Sequence, residues 1–593
     1  MNSEGKIPIV VGVTGHRNID GRDREELKRE VTAALAQIRA MCVGEPGGED
    51  TPVIMLNALA QGADMLCAEV ALAMGIDVYV VLPCEEERYK DSFTDLAERE
   101  KLSSFLRAAK RVIIAPDIEG NGTWLAEKHA MSADDYKYRQ TGIYIAEHSH
   151  ILLALWDGQS PRKRFGCGTA EVIDFTLERR FLDRDHLFKP DMLNDSAVLW
   201  IRVRREGGEM QPARRRWLVA SSAQEKGMTA YAGYFICEDV PTYLKDIVAE
   251  TVNYNSQPCG IEGACGALWS KPEELDEYHI CLSRHYAKAD DISFRRNQKP
   301  YNLFILLMAI MGTFVAFAFM LYDDASLTFM ILPCAFAVAV LLFLIQRGNK
   351  REYHNRYIKF RAFAEACRIQ FYMSLCLQEY PILTNVCRLY SWTQKIGFAW
   401  IYKALQSVAV IGRSEMSAVE REEVMDIWIG NSEAPKGQLR YHNEKFVKNM
   451  SRAKKYQKIS GCLGTATIVL YACIFVVEII NYILSARGID WFWEGEIVGG
   501  VYWRSMGIII MGTLTAASLL FSSYFGKLSF DRKAEDNRKM SAFYASAYAR
   551  WREIKVRPAA DVPKFVKEVA REEIVENGIW YSYVRDNSLE INI

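Results

Sequence analysis

Between Leu303 and Ile345 the chain carries two uncharged apolar runs, LFILLMAIMGTFVAFAFMLY and LTFMILPCAFAVAVLLFLI, separated only by DDAS. As helices rising about 1.5 Å per residue, runs of twenty (Leu303–Tyr322) and nineteen (Leu327–Ile345) residues each cover the roughly 30 Å of a bilayer's hydrocarbon core. So short a connection predicts an antiparallel transmembrane hairpin. Two helices buried in a large soluble protein would be the alternative, but soluble core helices rarely run this long with no charge on any face. Arg295, Arg296 and Lys299 precede the hairpin, Arg347, Lys350 and Arg351 follow it, and Asp323 and Asp324 sit at its tip. Positive charge stays on the cytoplasmic side, so both ends are expected inside, and everything before residue 300 with them.

The plan repeats further on. A basic helix is predicted over Gln438–Gln457, followed by apolar Ile459–Leu484, a connection with Trp491, Trp493, Tyr502 and Trp503, and apolar Met506–Phe525. Lys527, Arg532 and Lys533 then place this hairpin's ends inside as well, and the four aromatic residues suit an interfacial belt. Asn355-Arg356 and Arg368 after the first hairpin have the spacing of Asn537-Arg538 and Arg550 after the second. Basic helix, membrane hairpin and long cytosolic helix thus form an internal repeat. The expectation is a multi-pass protein of the inner (cell) membrane with four transmembrane helices and with the N-terminal domain and C-terminus cytoplasmic. Glu478 and Asn481 in the third helix, and Thr515, Ser518 and Ser522 on one face of the fourth, are the pore candidates, because polar groups within a membrane commonly face a bundle interior or water path. Helix packing for the hydroxyls, and an outer-interface position for Glu478, are the competing readings.

Ahead of the hairpins the pattern changes to short buried strands alternating with helices. Strands are predicted at Ile7–Val13, Val53–Leu59, Val78–Leu82, Val112–Ala115, Ile151–Trp156 and Val198–Arg204, the last closing the sheet. Helices are predicted at Asp20–Arg39, Met65–Met74, Ala133–Ala146 and Ala170–Arg180. This predicts an α/β, Rossmann-like, doubly wound N-terminal domain followed by an all-α membrane region. The expected boundaries are 1–275 for the α/β domain, 276–380 for the first hairpin with its flanking helices, 381–427 for a helical connector, and 428–593 for the second hairpin. Residues 206–270 read as a loop-rich lobe or edge extension, with Arg214-Arg215-Arg216 in a solvated loop. The apolar helix near Ile396–Ile411 suits either a membrane interface or internal packing.

In a doubly wound sheet, ligands sit beyond the carboxyl ends of the strands. Three small-residue turns are expected to meet there: Thr14-Gly15-His16-Arg17, Gly62-Ala63-Asp64, and Gly166-Cys167-Gly168-Thr169. Glycines let backbone approach an anion, and the helix N-termini that follow offer N–H groups and a partial positive charge. Thr14, Thr169 and Arg17 add donors that suit a phosphate-bearing nucleotide. Asp64 reads as the N-cap of its helix, with ligand contact as the alternative. His148 and His150 read as packing or surface residues, with no metal set around them. Fourteen scattered cysteines without a CxxC pair read as reduced apolar core residues, and a net charge of -1 argues against bulk nucleic-acid binding.

VVGVTGHRN, LNALAQGADMLCAEVAL, VYVVLP, SHILLALWDG and GCGTAEVIDFTL, in that order over residues 7–205, resemble the SLOG superfamily, which includes the cytokinin-activating LOG-type domains. LOG-type enzymes carry PGGxGTxxE, whose glycines hold phosphate and whose glutamate serves N-glycosidic hydrolysis. Gly166, Gly168 and Thr169 match GxGT, but Arg164 and Phe165 precede it, and Val172 stands in place of the final glutamate. Glu171 lies one residue earlier, a rotation of about 100° on a helix. The resemblance therefore implies phosphate binding more than hydrolysis, and a nucleotide-derived ligand, ADP-ribose-like or a cyclic nucleotide, without a further cofactor. The membrane repeat resembles the SLATT family of two-helix membrane modules. Trp428-Ile429 and Gln438-Leu439-Arg440-Tyr441-His442 look like its lead-in motif, with Tyr278-His279 a weaker counterpart. SLATT modules imply a bacterial conflict or antiphage system in which a nucleotide signal opens a pore. The reading is therefore a nucleotide-gated membrane effector, acting as a homo-oligomer because four helices enclose no conduit alone. A membrane-anchored nucleotide N-glycosidase using Glu171, and a regulated transporter or channel, are the alternatives.

Overall fold

The first strand, β1 (Ile9–Gly15), is buried along both faces until its last residue. Because successive side chains of a strand point to opposite sides, such a strand must be covered twice. In the computed structural model Ile9, Val11 and Val13 enter one core with α1 (Arg24–Met41), α2 (Ala63–Ala73), α4 (Leu96–Ala108) and α8 (Thr242–Ser256). On the other face, a Cβ at Gly12 would meet the Ile145 side chain at 2.8 Å, so this glycine lets α6 (Ala133–His148) lie close to β1. The structure describes residues 5–44, 50–159, 168–178, 195–205, 214–223, 228–231, 233–258, 267–324, 327–377, 385–389, 398–412, 419–430, 437–498, 501–556 and 561–586. They form two compact units, Met1–Lys288 with Phe363–Val419 and Val566–Ile579, and Ala289–Ala362 with Glu420–Phe565 and Trp580–Ile593.

The first unit holds a nine-stranded sheet ordered β4-β3-β2-β1-β5-β6-β7-β9-β8. Strands β1, β2 (Val53–Asn57), β3 (Asp77–Leu82), β4 (Arg111–Ile114), β5 (Ile151–Trp156) and β6 (Ala197–Arg202) run parallel, in registers such as Val11 with both Met55 and Ile151. The chain steps outward from β1 to β4 and then returns to place β5 on the other side of β1, which leaves a topological switch between those two strands. The expectation that Val198–Arg204 closes the sheet is corrected. β7 (Arg215–Val219), β8 (Thr229–Tyr231) and β9 (Tyr234–Cys237) extend it antiparallel beyond β6. Arg215 and Arg216, expected in a solvated loop, are therefore strand residues, and Arg215 pairs with Glu30 at 2.9 Å. Trp217, Leu218 and Val219 are buried, and such side chains pack well on a pleated surface, which favours a strand here between β6 and β9.

The apolar connector helix, here α13 (Ala399–Ile411), packs internally: every residue from Trp400 to Val410 is buried. Trp400 Nε1 donates to Thr251 Oγ1 at 3.1 Å, and Tyr402 Oη donates to Glu147 Oε2 at 2.7 Å. Lys403, fully buried, donates from Nζ to the carbonyls of Ser149 at 2.6 Å and Glu147 at 3.1 Å. His148 and His150 are packing residues. His150 Nδ1 accepts from Val10 N at 3.1 Å, and the His148 ring stacks on Tyr144 with centroids 4.2 Å apart. Cys42, Cys67, Cys334 and Cys367 are buried, as the reading of core residues expects, whereas Cys462 and Cys473 are exposed on the apolar stretch of α15 (Gln438–Ser485), where that reading does not hold.

Among the described residues, the second unit holds the apolar runs of four helical stretches long and apolar enough to cross a membrane: Glu277–Asp323, Thr328–Leu377, Gln438–Ser485 and Trp503–Ile554, of 47, 50, 48 and 52 residues. Each joins an apolar run to a polar helix, so the repeated sequence plan becomes a repeated structural one. α10 (Lys299–Asp323) packs on α11 (Ile331–Arg351) and on α16 (Trp503–Leu528), while α15 (Gln438–Ser485) packs on α16 and α17 (Phe530–Ile554). A Cβ at Gly512 would meet the Met320 methyl at 2.2 Å, so glycine sets how closely α10 and α16 approach. Between α11 and α12 (Tyr353–Leu377) the helix breaks at Glu352, whose φ is +46°.

Candidate functional site

The turn after β1 is held by close packing. Gly62 has φ +85°, and a Cβ there would meet the Arg17 carbonyl oxygen at 2.2 Å. A Cβ at Gly15 would meet that of Ala63 at 2.3 Å, and Ala63 N donates to His16 O at 3.2 Å. Gly62 and Ala63 therefore stand behind the site and brace its wall. The cap of α2 belongs to Gly62, which corrects the reading of Asp64 as N-cap. Asp64 sits in the first turn, where its Oδ2 accepts from Ala60 N at 3.3 Å. The physical reason is the glycine's positive φ, which starts the helix two residues earlier than the apolar pattern implies.

Beyond the carboxyl ends of β1 and β5, at the topological switch, lies a cavity of about 490 Å³. Thr14, Gly15, His16, Arg17 and Asp64 line one side, and Gly168, Thr169 and Glu171 line another. Gly166, with Cys167 beside it, lies outside the described residues. α7 (Thr169–Leu177) begins at the cavity, with Gly168 as its N-cap, so its positive dipole end lies beside the space. Arg17 is exposed and lies 5.4 Å over the Tyr138 ring.

Several residues at or behind the wall were not anticipated: Arg205 lines the cavity, and Asp157 and Arg139 support residues that line it. His16 Nε2 lies 3.0 Å from Asp157 Oδ1, and Arg205 Nε lies 2.8 Å from Asp157 Oδ2, so one carboxylate orients both side chains. Burial raises the Asp157 carboxyl, but the Gln159 N–H, the His16 ring and the Arg205 guanidinium together hold it below its usual range. Deeper in, Arg139 is a buried hub. Its Nε and Nη2 donate to Glu119 at 2.7 and 2.9 Å, its Nη1 donates to Glu171 Oε1 at 2.6 Å, and it lies 4.6 Å over Phe175. Asp157 is the penultimate residue of SHILLALWDG, and a polar residue just past the buried strand β5 was a usable signal. Arg139-Gln140-Thr141-Gly142, polar yet on a helix expected to pack, was another.

Two carboxyls in this wall are only half satisfied. Asp64 Oδ1 and Glu171 Oε2 are buried without a hydrogen-bond partner. Burial pushes each of them up to about 7, Asp64 from 3.8 and Glu171 from 4.5, with Arg17 and Arg139 respectively pulling the other way. Near neutral pH the cavity is therefore far less negative than its two acids imply, and each protonated carboxyl has a hydrogen to donate. A group whose folded value is raised costs nothing below its unfolded value and destabilises as the pH rises between the two. The Asp64→Asn variant should thus gain stability relative to the wild type between pH 4 and 7, by a few kcal/mol at most. Guanidinium midpoints of both proteins at pH 4.5, 6 and 7.5 check this; a constant difference would show that Asp64 is ionised throughout.

The pore candidates lie elsewhere. Glu478 Oε1 accepts from Arg504 Nε at 2.7 Å and from Trp493 Nε1 at 3.3 Å, and buried Asn481 donates to Glu494 at 2.9 Å. Both tie the connection 486–502 to the end of α15. Thr515 donates to Met511 O at 2.8 Å, Ser518 is half-buried, and exposed Ser522 lies 3.3 Å from Ser460 Oγ. Among the described residues, no group of His, Cys, Asp and Glu is arranged to hold a metal ion.

Fold and site together define an α/β unit with a cavity at its strand ends, on a chain whose described residues include four helices of membrane-spanning length. No protein-family model matches the chain, and no curated protein matches its sequence.

Proposed function

We propose that the chain is a nucleotide-sensing membrane effector: a Rossmann-like, SLOG-type domain binds a nucleotide-derived signal, and tandem SLATT-like hairpins in the inner membrane then conduct. The observation that carries the reading is the cavity at the β1–β5 switch. At about 490 Å³ it matches the size of a small-molecule site, and it combines a helix N-terminus, two threonine hydroxyls and Arg17 at one opening. The phosphate of an ADP-ribose-like or cyclic nucleotide suits the α7 N-terminus, and the half-satisfied carboxyls of Asp64 and Glu171 suit ribose hydroxyls or base amino groups. The basic residues flanking each apolar run support cytoplasmic termini. Ligand opens a conducting path only by binding that state more tightly, and a homo-oligomer supplies enough helices to surround the path. Such an effector belongs in a bacterial defence system triggered by a nucleotide messenger.

The test is dye leakage from liposomes containing the full chain, with a panel of ADP-ribose derivatives and cyclic nucleotides. One ligand should raise leakage at least tenfold, and Arg17→Ala with Thr169→Ala should abolish the response. Leakage equal with and without every ligand would sink the gating reading, and constant flux would favour a channel or transporter.

A membrane-anchored N-glycosidase is a second reading, supported by Glu171 lining the cavity with a carboxyl near 7, a value suited to general acid–base work. It requires release of free base from a nucleoside monophosphate, lost in Glu171→Gln.

A further inference from the structure

A second, much smaller cavity lies within the other unit, at the basic end of the apolar helices. Its volume is about 60 Å³. Lys527 at the end of α16, Arg532 and Lys533 in the first turn of α17, His354 of α12, Tyr301 of α10 and Trp580 of α18 (Asp561–Asp586) line it. Among these wall residues Asp536 is the one acid, and it lies 3.9 Å from Arg532. Lys533 has no ion-pair partner among the described residues. His354 Nε2 donates to Val584 O at 2.9 Å, and its Nδ1 is buried without a hydrogen-bond partner. A bound anion would draw a proton to that nitrogen and accept from it.

We infer that this cavity holds the phosphate of an anionic membrane lipid, gripped by Lys527, Arg532 and Lys533. Size separates it from the nucleotide cavity: about 60 Å³ accepts a phosphate group and excludes a whole nucleotide, which needs several hundred. Position gives the source of the phosphate. Lys527 ends one apolar helix, and Tyr301 stands just ahead of the apolar run of another, so the cavity lies where headgroups lie beside a spanning helix. The aromatic wall fits that depth. Tyr301 lies 4.7 Å from His354, Tyr357 lies 5.8 Å from Trp580, and the Arg532 guanidinium lies 3.3 Å over Tyr583.

The inference rests on the reading that the apolar helices span a bilayer, and alkaline carbonate washing of membranes tests that reading alone. Protein released into the wash overturns spanning. For the lipid site, the full chain in mild detergent is titrated with short-chain phosphatidylglycerol, phosphatidylcholine or inorganic phosphate, and bound lipid is counted by native mass spectrometry. Phosphatidylglycerol should bind saturably, phosphatidylcholine should not, and inorganic phosphate should fail to displace the lipid at equal concentration. The Lys527→Gln/Lys533→Gln variant should bind roughly thirtyfold more weakly, for two lost charges. Lys533→Arg should keep most of the affinity, and Lys454→Gln, outside the cavity, all of it. Equal binding of phosphatidylcholine, or unchanged affinity in the double variant, overturns the site. Displacement by inorganic phosphate makes it a free-anion site and overturns the lipid.

Discussion

Replacing Arg139 with methionine is expected to destabilise the α/β unit by about 3–5 kcal/mol, the range seen when one partner of a buried ion pair is removed. Arg139 is 1% exposed, and the Glu119 side chain is fully buried. The methionine would fill the volume and keep contact with Phe175, but it would leave the Glu119 carboxylate, which also accepts from Gln140, in a low-dielectric interior without the guanidinium that faces it. Glu171 should behave differently. Its carboxyl is already drawn to about 7 and one oxygen has no partner, so Glu171→Gln removes little that is favourable and should cost within about 1 kcal/mol. Guanidinium midpoints of the three proteins in the same detergent separate the cases. If Arg139→Met falls no further than Glu171→Gln, the hub does not hold the cavity wall together.

The second large effect is expected at Lys403. Its ammonium is 0% exposed, bonded to two main-chain carbonyls and 3.9 Å from Asp195 Oδ1, whose side chain is also buried. In Lys403→Met both carbonyls lose the ammonium as a donor, Ser149 O keeping the Ser196 hydroxyl, and Asp195 loses a neighbouring cation, again a cost of about 3–5 kcal/mol. The same variant should alter a histidine. Burial holds His150 down at about 3, and the Lys403 charge adds to that depression. Without the lysine the His150 value should rise, though not to its usual range, because burial is the larger cause. A histidine depressed in the folded state contributes stability above pH 6.5 that is lost as the pH falls toward the folded value. The variant's own loss of stability in acid should therefore be shallower than the wild type's. Midpoints between pH 4 and 7 read this, and a steeper acid loss would contradict it.

Much of the site was legible because it is made of turns. Thr14 to Arg17, Asp64, and Gly168 to Glu171 follow or precede elements whose type is set by local apolar patterning, and parallel topology brings their ends to one edge. The residues that tune the site were not legible in the same way. Arg139 meets Glu119 and Glu171 across 20 and 32 residues of sequence, and Arg205 meets Asp157 only because β6 lies beside β5. No periodicity reports which charge faces which. Arg215 and Arg216 misled for a related reason: a charged run at the start of a strand reads as loop until an antiparallel neighbour accounts for it.

The sequence by itself determined the parallel-dominated α/β unit, the four helices of membrane-spanning length and their arrangement in two similar pairs. Run length and period depend on neighbouring residues, so they survive without any knowledge of contacts. Only the tertiary structure decided that α13 is interior, that Asp64 and Glu171 sit half-satisfied in one cavity, and that Lys527, Arg532, Lys533 and His354 share another. An apolar helix is satisfied equally by lipid or by protein, and a charge is costly or useful according to what stands opposite it. Both depend on partners far away in the chain, and folding alone brings those partners together.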